Sequence, residues 1–115
     1  MTLSPSGPLK FGFQNVLPPA DDGGAFRLAD FETTQRLVLA LERNGFHAMW
    51  VGDHLAFAQP ILDPLIQLSQ ASAISQRLML GTAVFLLPLR HPAPVAKQVA
   101  TLDLLSSGRV IFGVG

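Results

Sequence analysis

The chain alternates between short apolar runs and longer segments in which apolar residues return every three or four positions. Leu9-Lys10-Phe11-Gly12-Phe13 alternates apolar with small or polar residues and ends at Gln14-Asn15, which predicts a first strand. Ala48-Met49-Trp50-Val51 is apolar throughout and predicts a second strand buried on both faces, stopping abruptly at Gly52-Asp53-His54. Leu78-Met79-Leu80-Gly81-Thr82-Ala83-Val84 predicts a third strand, and Arg109-Val110-Ile111-Phe112-Gly113-Val114-Gly115 a fourth.

Helical spacing fills the gaps between them. Asp30 suits the N-cap of a helix running to Asn44, with Leu37, Val38 and Leu41 as its apolar stripe and Arg36, Glu42 and Arg43 off it. Gly45 is the expected left-handed residue after that helix, and Phe46 its hydrophobic contact. Asp63-Pro64 caps and opens a second helix to about Ser75, burying Leu65, Leu68 and Ser72 with Ile66 and Ile74 beside them. Pro92 and Pro94 open a third helix to about Ser106, with Val95, Val99, Leu102 and Leu105 along one side and Ser107-Gly108 as its stop. Residues 16–29 carry Pro18-Pro19 and Asp21-Asp22-Gly23-Gly24, turn chemistry throughout. Unstructured loops of that length are more often functional than idle. Residues 55–62 form another loop, and residues 1–8 a loose tail without the basic start or apolar core of a secretory signal.

The order β-α-β-α-β-α-β, with strands apolar on both faces, fits a parallel sheet covered by helices. Two architectures share it. A doubly wound nucleotide-binding sheet should place a Gly-x-Gly-x-x-Gly turn directly after strand 1, whose backbone amides receive a pyrophosphate. Here strand 1 leads into Gln14-Asn15-Val16-Leu17-Pro18-Pro19, and prolines have no amide hydrogen to offer. A flavodoxin-like strand order stays open. A (β/α)8 barrel instead expects polar or glycine residues at every strand's carboxyl end. The ends here are Gln14-Asn15, Asp53-His54, Thr82-Ala83 and Gly113-Val114-Gly115, each small or polar. A whole barrel takes about 250 residues. The expected fold is therefore the first half of a TIM (β/α)8 barrel, with four strands and three helices in one domain over residues 9–115.

Composition sharpens this picture in a few places. The chain is 49% hydrophobic and 14% charged, so most of its surfaces are meant to be covered. Net charge is zero with no run of either sign, which argues against nucleic acid and anionic membranes as partners. No stretch approaches the ~18 apolar residues of a membrane span. The absence of cysteine fits a reducing cytoplasm, the expected location. Three scattered histidines lack ligand spacing, so no metal site is expected.

The candidate chemistry lies at Asp53 and His54, two titratable groups delivered by the carboxyl end of a buried strand. An imidazole, with an ordinary pKa of about 6.5, exchanges protons at neutral pH. The blander alternative has Asp53 capping a turn and His54 packing beneath it. His47 lies at the opposite end of the strand and His91 at a helix start. Arg90 could contact an anionic group, though an exposed loop arginine is usually just solvated, and Phe85, Leu86 and Leu87 read as core or as an apolar lining.

Asn44-Gly45-Phe46-His47-Ala48-Met49-Trp50-Val51-Gly52-Asp53-His54 resembles the helix 1 to strand 2 segment of the luciferase-like flavin-dependent oxidoreductases. Leu80-Gly81-Thr82-Ala83-Val84 and Leu87-Pro88-Leu89-Arg90-His91-Pro92 resemble that family's strand 3 and its loop. Ala96-Lys97-Gln98, Thr101-Leu102-Asp103-Leu104-Leu105-Ser106-Ser107-Gly108-Arg109 and Phe112-Gly113-Val114-Gly115 resemble its helix 3 and strand 4. The likeness runs in order from Leu9 to the last residue and is greatest to the branch using FMN or the deazaflavin coenzyme F-420.

The resemblance implies a (β/α)8 barrel with the flavin ring lying across the carboxyl ends of the strands. It implies hydride transfer with a small-molecule substrate, or oxygen insertion. His54 would be the acid or base, and Asp53 would hold its tautomer or touch the ring's polar edge. Cofactor contacts are implied for Gln14, Thr82, Ala83 and Val84, with a non-proline cis peptide at Ala83–Val84 backing the ring. Gly113 and Gly115 would leave room beside it. The family holds the cofactor's phosphate end largely with later strands, so this chain is expected to be an enzyme fragment, truncated at strand 4, that binds no flavin tightly alone. The alternative from another class is a non-catalytic half-barrel, two copies closing their open strand 1 and strand 4 edges as a homodimer.

Overall fold

A computed structural model of the chain describes residues 7–15, 30–56 and 61–115. The tail to residue 6, the long loop 16–29 and residues 57–60 of the second loop lie outside the described residues. The elements are β1 (Gly12–Asn15), α1 (Phe31–Arg43), β2 (Ala48–Val51), α2 (Pro64–Ile74), β3 (Met79–Phe85), α3 (Pro92–Leu105) and β4 (Val110–Val114), with a 3-10 turn at Leu87–Leu89.

The helices start where side chains can satisfy their first amides. The Asp30 carboxylate accepts from Thr33 N–H at 2.7 Å, and Asp63 accepts from Leu65 and Ile66 N–H at 3.0 and 3.2 Å. At the start of α3 the His91 imidazole does the same for Ala93 N–H, at 3.3 Å. Helix α1 closes with paired bonds from Gly45 N–H to Glu42 O and from Phe46 N–H to Leu41 O, with Gly45 at φ 74°. That is the Schellman ending its sequence predicts. Helix α3 closes the same way, but its left-handed position falls on Ser107 (φ 60°) with Gly108 following at φ 76°. A side chain there is strained, because its β-carbon crowds the next carbonyl. Ser107→Gly is expected to raise stability by about 0.5–1 kcal/mol. A urea midpoint that moves up with an unchanged slope would show it; a lower midpoint would refute it.

Glu42, off the apolar stripe, locks α1 to the turn before β3. Its carboxylate accepts from the Ser75 hydroxyl at 2.5 Å and from Arg77 N–H at 3.3 Å, while Arg77 Nη2 donates to its carbonyl at 2.7 Å. The Ser75 hydrogen bond draws the Glu42 carboxyl below its ordinary range; burial opposes this, and Arg77's amide and charge add to it.

All three strand pairs are parallel, in the order β1-β2-β3-β4. Each strand thus lies beside its neighbour in sequence, as in a barrel wall. A doubly wound sheet starts from its middle and flanks β1 on both sides, so the flavodoxin-like and dinucleotide-binding orders are both excluded.

The two faces of the sheet differ. Met49, Val51 and Leu80 pack with Val38, Leu41, Leu68 and Leu102 in one core under the helices. On the other face the register sets Gln14, Trp50, Gly81 and Ile111 side by side at one level. That row lies on the face that a barrel interior would occupy. β2 is consequently not buried on both faces among the described residues: Trp50 is only partly buried. β1 also begins at Gly12 rather than Leu9. Its partner begins at Ala48, preceded only by the His47 N–H bond to Phe11 O at 2.7 Å, and beyond that no strand is left to pair with. On α2, Gln67 and Ala71 join the buried side while Ile66 is 73% exposed; on α3, Leu105 faces outward.

Candidate active site

The register that pairs Asn15 with Val51 and Val51 with Thr82 brings the carboxyl ends of β1, β2 and β3 out at one rim. Asp53 follows β2 there and is 4% exposed. A buried carboxylate needs a cation and hydrogen-bond donors to stay charged. Arg90 supplies both prongs of its guanidinium: Nη2 donates to Oδ1 at 2.9 Å, and Nη1 donates to Oδ2. Leu86 N–H adds a bond to Oδ2 at 2.9 Å. The guanidinium also lies 4.2 Å from the Phe85 ring centroid and 3.6 Å from the Asp63 carboxylate at the start of α2. The arginine expected to be solvated therefore ties three segments together. Charge balance could have found it, since a carboxylate at the end of a buried strand demands a nearby cation.

Burial by itself pushes the Asp53 carboxyl up, but the Arg90 fork, the Leu86 amide and the positive field of Arg90 and His54 outweigh it and hold the group below its ordinary range. The same pair holds the Arg90 proton more firmly than usual. Asp53 and Glu42 both have folded values below their unfolded ones. The stability they contribute is therefore present above the ordinary carboxylate range and is lost as pH falls through and below it. Urea midpoints taken from neutral pH into that range are expected to fall steadily, and a flat profile would contradict both pairings.

His54 is exposed, one residue further along the rim. Its Nε2 lies 4.0 Å from where a β-carbon on Gly52 would sit, and the Ala83 carbonyl oxygen lies 3.9 Å from the same point. Among the described residues, an imidazole nitrogen and a strand carbonyl thus border the space above Gly52. The Ala83–Val84 peptide is cis. It falls within the irregularity between Thr82 and Phe85, where β3 uses one residue more than β4.

The glycines of β4 answer that irregularity. A β-carbon on Gly113 would strike the Thr82 carbonyl oxygen, and one on Gly115 would strike the Val84 side chain. The Thr82 hydroxyl, 1% exposed with its residue, donates to Gly113 O at 2.8 Å. The missing side chains of Gly113 and Gly115 thus let β3, with its extra residue, approach β4 closely. Gln14 is exposed one level lower, beside Trp50. Asp53, His54, Thr82, Ala83, Val84, Gly113 and Gly115 all gather at the rim. Sequence reasoning missed Arg90, Gly52 and Trp50. Among the described residues no group of three histidine, aspartate or glutamate side chains converges as for a metal ion, and no helix is long and apolar enough to cross a membrane.

A sequential parallel sheet with helices on one face and titratable groups along its carboxyl rim is the wall of a (β/α)8-type enzyme. Residues 11–115 match the family model for luciferase-like monooxygenases. The chain is 40% identical over 90 residues to limonene 1,2-monooxygenase of Rhodococcus erythropolis, covering 76% of this chain and 23% of that protein. It is 34% identical over 116 residues to an F420-dependent glucose-6-phosphate dehydrogenase of Nakamurella multipartita, covering 94% and 31%. In structure it resembles a monooxygenase from Streptomyces bottropensis with a TM-score of 0.78 at 31% identity, covering 93% of this chain and 33% of that one. The chain belongs to the luciferase-like monooxygenase family. It spans a quarter to a third of the length of these relatives.

Proposed function

We propose that residues 9–115 form one wall of the cofactor cradle of an oxidoreductase that uses FMN or coenzyme F-420. The observation that carries this reading is the gap above Gly52, bordered by His54 Nε2 and the Ala83 carbonyl. A flat ring fits a place where backbone can approach closely and one proton-exchanging group stands at its edge. When bound, the flavin supplies the hydride transfer or oxygen chemistry. The chain's own part is to position and protonate: His54 holds or gives a proton at the reacting atom of a small-molecule substrate. Asp53, with both oxygens engaged by Arg90, acts by holding the rim from which His54 projects. Gln14, Thr82, Ala83, Val84, Gly113 and Gly115 form the surface facing the ring, β3 and β4 through backbone more than side chains. One relative is a monooxygenase and another an F420-dependent dehydrogenase, so oxygen insertion and hydride transfer are both open. The cytoplasm is the compartment this reading assigns.

The test is FMN and F-420 binding by the purified chain, followed by fluorescence anisotropy into the millimolar range, with His54→Gln alongside. Weak saturable binding that survives His54→Gln supports the cradle. In any assembly that turns over, the same change should slow proton transfer roughly 10²–10⁴-fold. No binding of either cofactor would overturn the reading.

A second reading is favoured by the free edge of β4, where Leu87, Val95, Val99, Val110 and Phe112 line an apolar groove of about 520 Å³. Two copies pairing β4 with β1 would cover it and make an eight-stranded homodimer. Sedimentation equilibrium at twice 12.3 kDa would support that assembly, and a monomer would dismiss it.

A further inference from the structure

We infer that Trp50 is the aromatic lining at the inner end of the cofactor slot and touches the ring bound there, an inference that rests on the flavin reading above. Trp50 lies on the sheet face away from the helices, at one level with Gln14, Gly81 and Ile111. Its indole reaches across both neighbouring strands. A β-carbon on Gly12 would collide with Nε1 and Cδ1, and one on Gly81 with Cε3 and Cζ3 of the six-membered ring. Glycine weakens a strand interior, so two glycines at these positions serve the ring that covers them. One side chain thereby spreads over three strands, where a barrel layer ordinarily receives a side chain from alternate strands.

Among the described residues, the next inward-facing level toward the rim carries small side chains. Alternation puts Gly52 above Trp50 and Ala83 above Gly81, so the larger side chain of that pair is a methyl group. Strand geometry makes that level about 7 Å deep. Its lower boundary is the indole, its upper edge carries His54, and the Ala83 carbonyl lies to one side. An apolar aromatic surface below, backbone at the side and an imidazole above suit a planar heteroaromatic ring with polar groups along its edge. Among the described residues the indole is followed toward the rim by glycine and alanine rather than by the larger side chains of a filled core.

Trp50 is the only tryptophan in the chain, so its indole N–H gives a single resonance. The experiment is a titration of the isotope-labelled full chain with FMN, following that resonance together with the Gly52 and Ala83 amides. All three are expected to move with one common midpoint. Gly52→Val, which fills the slot without touching the indole, should leave the free indole resonance in place and abolish its response to FMN. Trp50→Phe should weaken FMN roughly threefold to tenfold. Movement of the Gly52 and Ala83 amides without the indole would overturn the inference and leave the flavin reading standing. No movement anywhere at millimolar FMN would overturn both.

Discussion

Replacing Arg90 by methionine is expected to lower the unfolding free energy by about 3–5 kcal/mol, the largest loss of any single change at the rim. The arginine does not stabilise chiefly through its own contacts. Its removal leaves Asp53, 4% exposed, with the Leu86 amide and the field of His54 but no guanidinium to answer its charge. The penalty is therefore that of an uncompensated buried carboxylate. Arg90→Lys keeps the charge but loses the two-pronged geometry, and should fall between the parent and methionine. Asp53→Asn combined with Arg90→Met removes both charges and should recover much of the loss, as a double-mutant cycle in urea would show. The pH dependence should also change sign. In the parent, Asp53 is held below its unfolded value, so its contribution is lost as pH falls. Without Arg90, burial is the largest remaining influence, set against the Leu86 amide and His54, and is expected to raise the folded value above the unfolded one. Protonation then favours the folded state, and stability is lost as pH rises through that higher value. Equal urea midpoints for parent and Arg90→Met would show that the pair is not formed in solution.

Gly113→Val is expected to cost about 3 kcal/mol or more, for a different reason. Its β-carbon would enter the space of the Thr82 carbonyl oxygen, and backbone cannot swing aside as a side chain can. β4 would have to move away from the irregular part of β3. The Thr82 hydroxyl would then lose its 2.8 Å bond to Gly113 O, leaving a polar group with 1% exposure unpaired. Gly115→Val is the control. It meets the side chain of Val84, 43% exposed, rather than backbone, so its cost should be smaller. A Gly113→Val protein as stable as the Gly115→Val protein would mean that β3 and β4 do not approach so closely.

Much of the architecture was legible because it is written locally. Asp30, Asp63 and His91 announce helix starts through the side-chain acceptors they carry, and Gly45 announces an ending through the backbone angle it tolerates. The apolar runs at 48–51 and 79–85 require a parallel sheet whatever their partners turn out to be. The strand ends were polar or small, so the rim where Asp53 and His54 emerge could be located. The first strand was read three residues too early, because alternation marks what can pair, not where a partner is available.

The sequence by itself determined the alternation of elements, their caps, the common direction of the strands and the rim where titratable groups emerge, since each follows from a periodicity or a cap confined to a few neighbouring residues. Only the tertiary structure decided how those residues are used. Arg90 and Asp53 are 37 positions apart, and Glu42 and Ser75 are 33 apart, so their pairing exists only once the strands lie side by side. The same holds for Gly113, whose missing side chain admits a carbonyl from another strand, and for Trp50, which spreads over two glycines that nothing local links to it. Local patterns record which face a residue turns to; which group waits there depends on register between distant segments, and that is set by packing.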